Sequence, residues 1–209
     1  EVLELAGLTL GERLLSVRIS EIETALASCP RIERAQVKRA LPDRVVVGID
    51  EKLPVALLGT RSGEFVELAA DGTALPPVER SALVDLPILT GADGEVAPGK
   101  RFDSAGVREA LSVMADAERV APGLPAEFSE LRIAPGSGLV LFTVADGAEV
   151  SFGSGAHDSR ELARLAAVLS HLESRGEAAR AIDMRYEGQI VVRLGGRRIA
   201  SELRREGTS

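Results

Sequence analysis

Tryptophan is missing from this 209-residue chain, and aromatic residues make up only 3% of it. Any core must therefore be built from Leu, Val, Ile and Ala, within an apolar share of 45%. Cysteine occurs once, as Cys29, which excludes an intrachain disulfide and a Cys-based metal cluster. Cys29 precedes Pro30 with no His close in sequence, and it reads as a small apolar residue at a helix end. The two histidines, His157 and His171, lie on one expected helix about 21 Å of rise apart, too far to share a metal. No run of eighteen apolar residues is present to cross a membrane as a helix. No signal-peptide pattern opens the chain, and it starts at Glu1, as expected of a piece of a longer protein. Positive charge is also short. The 25 basic and 32 acidic residues leave a net charge of −7, whereas phosphate binding needs clustered Lys and Arg, so no nucleic-acid partner is expected. Residues 58–192 carry most of the excess, net −9, while residues 193–209 are net +3.

What is present has a globular pattern. Ser20–Ser28 is predicted helical, with Ser20 and Glu23 spaced as a capping box and Ile22, Ala25 and Leu26 on one face. Pro30 stops it. Val2–Leu5 reads as the end of an earlier helix. Apolar residues then alternate in Ala35–Lys38 and in Val45–Ile49, either side of a turn at Pro42-Asp43. Further on, Phe65, Val66 and Leu68 lead to a turn at Asp71-Gly72, and Leu86–Leu89 is a short apolar segment. Asp103 is placed to cap a helix carrying Val107, Leu111 and Met114. Leu139–Val144 and Ala148–Phe152 flank Asp146-Gly147, a hairpin signal. Asp158 and Glu161 open a longer helix with the stripe Leu162, Leu165, Leu169, Leu172, stopped by Gly176. The chain closes with the alternating Ile182–Tyr186, a turn at Glu187-Gly188 and the strand Gln189–Leu194. Strands dominate the second half, with two helices packed on them, which makes an α+β fold.

Chemistry-bearing motifs are scarce. Gly153–Ser159 is a Gly-rich loop ahead of a helix, a place where phosphate can sit. It lacks the Lys-Ser/Thr ending of a P-loop and the dinucleotide spacing, so it reads as a loop and cap. There is no His-Glu-x-x-His, no Gly-x-Ser-x-Gly and no acid pair in a loop, so neither catalytic residues nor a cofactor, metal or small-molecule site is expected. Arg31, Arg34, Lys38, Arg39 and Arg44 form a basic cluster, either a solvated strand face or a docking patch for an acidic partner or membrane surface.

The stretch Leu15–Leu57 carries a resemblance. It contains Pro30-Arg31-Ile32, then Val37-Lys38-Arg39-Ala40-Leu41-Pro42, then Glu51-Lys52-Leu53-Pro54-Val55-Ala56. This resembles the POTRA module of the bacterial FtsQ/DivIB division family. Asp71-Gly72 with Leu75-Pro76, Leu86-Pro87-Ile88-Leu89-Thr90-Gly91, and Ile182-Asp183-Met184-Arg185-Tyr186 resemble further marks of that family, in order. Arg31 departs from it, standing where an aromatic is usual, and Lys52-Leu53 replaces an Arg and acidic pair.

The resemblance implies a POTRA domain over residues 1–58, β-α-α-β-β with its first strand missing, and a larger mixed-sheet β domain with two helices over 64–194. A flexible basic tail follows over 195–209. It implies a non-enzymatic, membrane-anchored scaffold. The anchor would be a helix outside this chain, with both domains on the periplasmic side at the division septum. The implied partners are FtsB (DivIC) and FtsL, with other divisome proteins meeting the POTRA domain and the membrane helix. An alternative is a POTRA-containing protein of outer-membrane assembly or secretion, although only one such module and no barrel-length strands are present. The implied docking site is the closing hairpin: Arg185, Tyr186, Gly188, Gln189, Ile190, Val191, Val192 and Arg193. There Arg185 would meet a partner carboxylate, Tyr186 would give a flat contact, and the last strand would accept a partner strand at the sheet edge.

Overall fold

A computed structural model describes residues 2–8, 11, 13–14, 16–77, 85–92, 94–134, 138–152, 158–186 and 188–197. Two helices, α1 (Val2–Leu5) and α2 (Ile19–Ala27), precede two antiparallel strands, β1 (Ile32–Ala40) and β2 (Arg44–Glu51). Alternation turns Val45, Val47 and Ile49 inward, where they pack with Val17, Ile22, Leu26, Ile32 and Val37 in a small core. The expected box between Ser20 and Glu23 does not form. The helix starts at Ile19 with Arg18 as N-cap and no side-chain cap. Ser20 thus lies past the position from which a hydroxyl reaches the free N–H groups. Glu23 Oε1 accepts the Val37 N–H at 3.0 Å instead, which ties helix to strand.

The second module holds β3 (Pro54–Gly59), β4 (Phe65–Ala69), β5 (Ile88–Thr90), α3 (Ala105–Val120), β6 (Phe128–Ala134), β7 (Gly138–Thr143), β8 (Glu149–Ser151), α4 (Ser159–Arg175), β9 (Glu177–Asp183) and β10 (Val191–Arg197). They build one eight-stranded mixed sheet in the order β10-β9-β8-β7-β6-β5-β3-β4. β5 runs parallel to β3 and β6, and β8 parallel to β9. The architecture is α+β, as the sequence implies. Register aligns Leu58, Leu89, Leu131, Leu141, Val150, Ile182 and Val192 in a single row across seven strands. α3 and α4 cover that row, α3 with Val107, Ala110, Met114 and Ala117 and α4 with Leu162, Leu165 and Leu172. The rows on either side turn to the opposite face, which among the described residues carries no helix.

Three further expectations change. The module break read at Leu58–Gly63 is the end of β3 and its hairpin turn, where Thr60 N–H donates to Glu64 O and Gly63 N–H to Thr60 O. β3 pairs with β4 and β5, so the chain passes from one sheet to the other at Lys52-Leu53. α3 is capped by Ser104, whose Oγ accepts from Val107 N at 3.2 Å, while Asp103 pairs with Arg108. The strand expected to stop before Gly195-Gly196 runs through both glycines to Arg197, because Gly196 takes a φ of 127° where the pairing slips. Residues 198–209, most of the expected tail, lie outside the described residues.

The basic cluster divides. Arg39 donates to the carbonyls of Leu14 and Val17 inside the first module. Arg34, Lys38 and Arg44 are exposed on the outer sheet face. Arg31 reaches the second module: Nη2 meets Glu67 Oε2 at 2.6 Å and Nε donates to Pro76 O at 2.7 Å, both side chains largely buried. Beside it Lys52 Nζ donates to Asp71 Oδ2 at 2.7 Å and Thr73 Oγ1 at 3.3 Å. Pro30 packs on Gly99, where a Cβ would come within 2.6 Å of the proline ring.

Candidate functional site: the edge strand

Of the sheet's two edges, one is covered by the chain itself. Beside β4, Leu75 N–H donates to Glu67 O at 2.8 Å and Ala69 N–H to Thr73 O at 3.0 Å, and Leu68 and Ala74 form a bridge. The segment at 73–76 thus closes that edge. At the other end β10 pairs, among the described residues, with β9 alone, so its second side offers backbone N–H and C=O groups to an added strand.

The elements around β10 follow from local sequence. Asp158 opens α4 by accepting the Arg160 N–H at 3.2 Å. Gly176, at φ 61°, ends the helix and passes directly into β9. Met184 is buried and Arg185 and Tyr186 are exposed. Tyr186 O then accepts the Gln189 N–H at 3.2 Å, and Gly188 supplies the positive φ of 75° that this turn needs. Glu187 lies outside the described residues. Ile190 and Val192 are half-buried and pack against the core, while Val191 and Arg193 point to the helix-free face.

β10 therefore separates two surfaces. On the helix side an apolar groove of about 400 Å³ runs between α4 and the strand, lined by Ala167, Val168, His171, Leu172, Val192 and Leu194. On the other side lies a polar groove of about 770 Å³, with Glu149, Arg180, Asp183, Arg185, Tyr186 and Arg193 along it.

Arg185 is already engaged there. Its Nε donates to Asp183 Oδ1 at 2.9 Å and its Nη2 to Asp183 Oδ2 at 2.6 Å, and its backbone N–H donates to Oδ1 at 3.1 Å. The Arg185 side-chain hydrogen bonds, joined by its N–H and its charge, lower the Asp183 pKa from 3.8 to about 2. The carboxylate in turn raises that of Arg185, first through the hydrogen bond and then through its charge.

The structure brings the eight residues of the expected docking site into one turn and one strand. It also adds residues that the sequence reading missed: Arg180 in β9, Asp183 as the partner of Arg185, and the α4 wall of the apolar groove. The two-residue spacing of Asp183 and Arg185 is the signal available for the second of these, since it places both on one face. Of the other candidates, Gly153–His157 lies outside the described residues. Ser159 Oγ accepts from Arg119 Nη2 at 3.1 Å. His171 is exposed beside the apolar groove. Among the described residues no group of three His, Cys, Asp or Glu is gathered that could hold a metal, and no helix is long and apolar enough to cross a membrane.

Two domain families match this chain. The POTRA domain, FtsQ-type, covers residues 1–52, and the C-terminal domain of the cell division protein FtsQ/DivIB covers residues 56–185. The two matches meet where the chain changes sheets. The cell division protein FtsQ of Geotalea daltonii is 30% identical over 194 residues, which span 92% of this chain and 70% of that protein. That of Myxococcus fulvus is 36% identical over 188 residues, 88% of this chain and 63% of that protein. That of Streptomyces griseus is 30% identical over 179 residues, 85% of this chain and 83% of that protein. The chain spans about two thirds of the length of the first two relatives.

Proposed function

Because the chain belongs to the FtsQ/DivIB family of cell division proteins, we propose that it is a non-enzymatic scaffold of the division machinery that binds the FtsB (DivIC)–FtsL pair and so links early to late division proteins, with control of septal peptidoglycan synthesis as the result. In this reading both modules lie outside the cytoplasmic membrane at the septum, held by a membrane helix that is not part of this sequence. The POTRA module and that helix meet other division proteins.

One observation carries the docking site. Among the described residues β10 is the sheet edge left uncovered, whereas 73–76 closes the edge at β4. Strand addition at β10 satisfies its free backbone groups and places alternate side chains of the incoming strand in the two flanking grooves. Tyr186, exposed at the turn, offers a flat apolar ring with a polar tip. Gly188, Gln189, Ile190, Val191, Val192 and Arg193 complete the contact strip.

The test is titration of this chain with the extracytoplasmic FtsB–FtsL segment from the same genome. Proline at Val191 or Val192 removes a backbone donor, and at whichever position points its N–H outward, binding should fall while the fold, followed by circular dichroism, is retained. Parental affinity in both folded proline variants places the docking site elsewhere.

A further inference from the structure

The hairpin of the first module ends in a combination that its own core does not use. β1 and β2 pair from Ile32 with Glu51 at one end to Ala40 with Arg44 at the other. Arg31 and Lys52, just beyond the first end, hold the second module. The turn at 41–43 therefore points away from that module. Alternation puts Lys38, Ala40, Arg44 and Val46 on the outer face near the turn, with Lys38 opposite Val46. Leu41, in the turn itself, is 80% exposed, and Val46 is 53% exposed. Single exposed apolar residues are ordinary, but these two lie among cations. Arg39 is exposed and donates to the carbonyls of Leu14 and Val17, and among the described residues neither it nor Lys38 is paired with a carboxylate. Asp43 lies 3.9 Å from Arg44 with both side chains largely exposed, which takes little from the arginine's charge. Farther along the face Arg34 stands next to Asp50 across the strands. Residues 38–46 thus gather three cations and one acid around two exposed apolar side chains, on a chain of net charge −7.

We propose that the end of this hairpin, through Lys38, Arg39, Leu41, Arg44 and Val46, docks on the anionic phospholipid surface of the cytoplasmic membrane. This rests on the reading that both modules lie just outside that membrane. The contact has two parts. The cations are drawn to acidic headgroups over about a Debye length, so this part weakens with salt. Leu41, with Val46 behind it, buries apolar surface among the headgroups, a gain that salt does not screen. An acidic protein would also satisfy the cations, but Leu41 stands at a projecting turn rather than in a groove, which favours a surface that yields around it. The same field repels the second module, net −9 over residues 58–192. Attraction at the hairpin and repulsion at the far module turn the molecule in the same sense, so the surface orients it and keeps the eight-stranded sheet clear of the lipid.

The experiment is co-sedimentation of the full chain with vesicles of phosphatidylcholine, alone or mixed with phosphatidylglycerol, at several salt concentrations, beside titration with the extracytoplasmic FtsB–FtsL segment. The chain should partition onto the phosphatidylglycerol vesicles, less so as salt rises, and not onto the neutral ones. Lys38→Ala and Arg44→Ala should each lower the partition coefficient about fivefold, which corresponds to about 1 kcal/mol for one basic residue near such a surface. Leu41→Ser should lower it without changing the salt dependence. Arg160→Ala, at an exposed position on α4, should leave it as in the parent. Because the chain has no Trp, Leu41→Trp supplies a single reporter. Its emission should shift to the blue on phosphatidylglycerol vesicles, while that of Phe65→Trp, exposed in β4, should not. Equal partition on both kinds of vesicle, or parental partition in both alanine variants, overturns the proposal. Absence of partition by the parent overturns it too, and retained affinity for the FtsB–FtsL segment then leaves the functional reading standing. Loss of both overturns both. Weakened FtsB–FtsL binding in Lys38→Ala and Arg44→Ala, with unchanged partition, overturns it in favour of an acidic protein at the hairpin.

Discussion

Asp71 and Asp183 keep their charge far into acid, for different reasons. Asp71 is pushed up by burial, but hydrogen bonds from Lys52 and Thr73, with the Lys52 charge, outweigh this and bring it from 3.8 to about 2. Asp183 is lowered by Arg185. A carboxyl whose pKa is depressed on folding adds stability that is fully present above its unfolded value, and that stability is lost as pH falls through the folded value. Both contributions should therefore persist at pH 4 and disappear toward pH 2. Carboxyl-carbon NMR titration should give midpoints near the latter, and Lys52→Ala should move that of Asp71 upward. An unmoved midpoint would mean that Lys52 does not set it. Steric effects decide other positions. Gly91 has a φ of 77°, and a Cβ there would lie 2.2 Å from Ile133 O. Gly91→Ala should cost about 2–3 kcal/mol in urea unfolding, since both the backbone conformation and the contact oppose it.

Elements with local signals were legible before the fold was known. The α4 stripe, its Asp158 cap and its Gly176 stop depend on residues within a few positions of each other, and so does the turn at Asp146-Gly147. The stripe yields a graded expectation. Leu165 is fully buried, so Leu165→Ala should cost about 2–5 kcal/mol, while Leu169→Ala, at a half-buried position, should cost less, both read from chemical denaturation. A loss below about 0.5 kcal/mol at Leu165, in the range of surface changes, would remove the helix from the core. Elements defined by distant partners were not legible. β5 has only three residues and owes its existence to parallel pairing with β3 and β6. β3 opens with Pro54 and reads as the exit from the first module until its pairing is seen. The turn after Tyr186 was legible from Glu187-Gly188, but not the engagement of Arg185 by Asp183, which depends on side-chain placement. The start of β9 at Glu177 was not legible, because the alternation becomes visible only at Ile182.

At the scale of the molecule, β3 sits between β4 and β5. A fragment of residues 64–197 removes it and should lose cooperative unfolding, whereas residues 53–197 keep the whole sheet and should retain it. A cooperative transition in the shorter fragment would show that the sheet closes without β3. The contact between modules is set by Arg31 with Glu67 and Pro76, and by Lys52 with Asp71. Breaking a largely buried pair on one side leaves a charge without its partner. Arg31→Ala should widen the interparticle distance distribution in small-angle X-ray scattering, and Arg31→Glu combined with Glu67→Arg should narrow it again. An unchanged distribution in Arg31→Ala would place the hold between modules elsewhere. The first module grips the sheet at its β4 end, and the open strand lies at the other. Eight strands leave seven spacings of about 4.8 Å, so the two are roughly 34 Å apart. The sheet is thus a gauge block: the distance from the first module to the open strand is fixed by strand count, and no loop length or linker slack enters it.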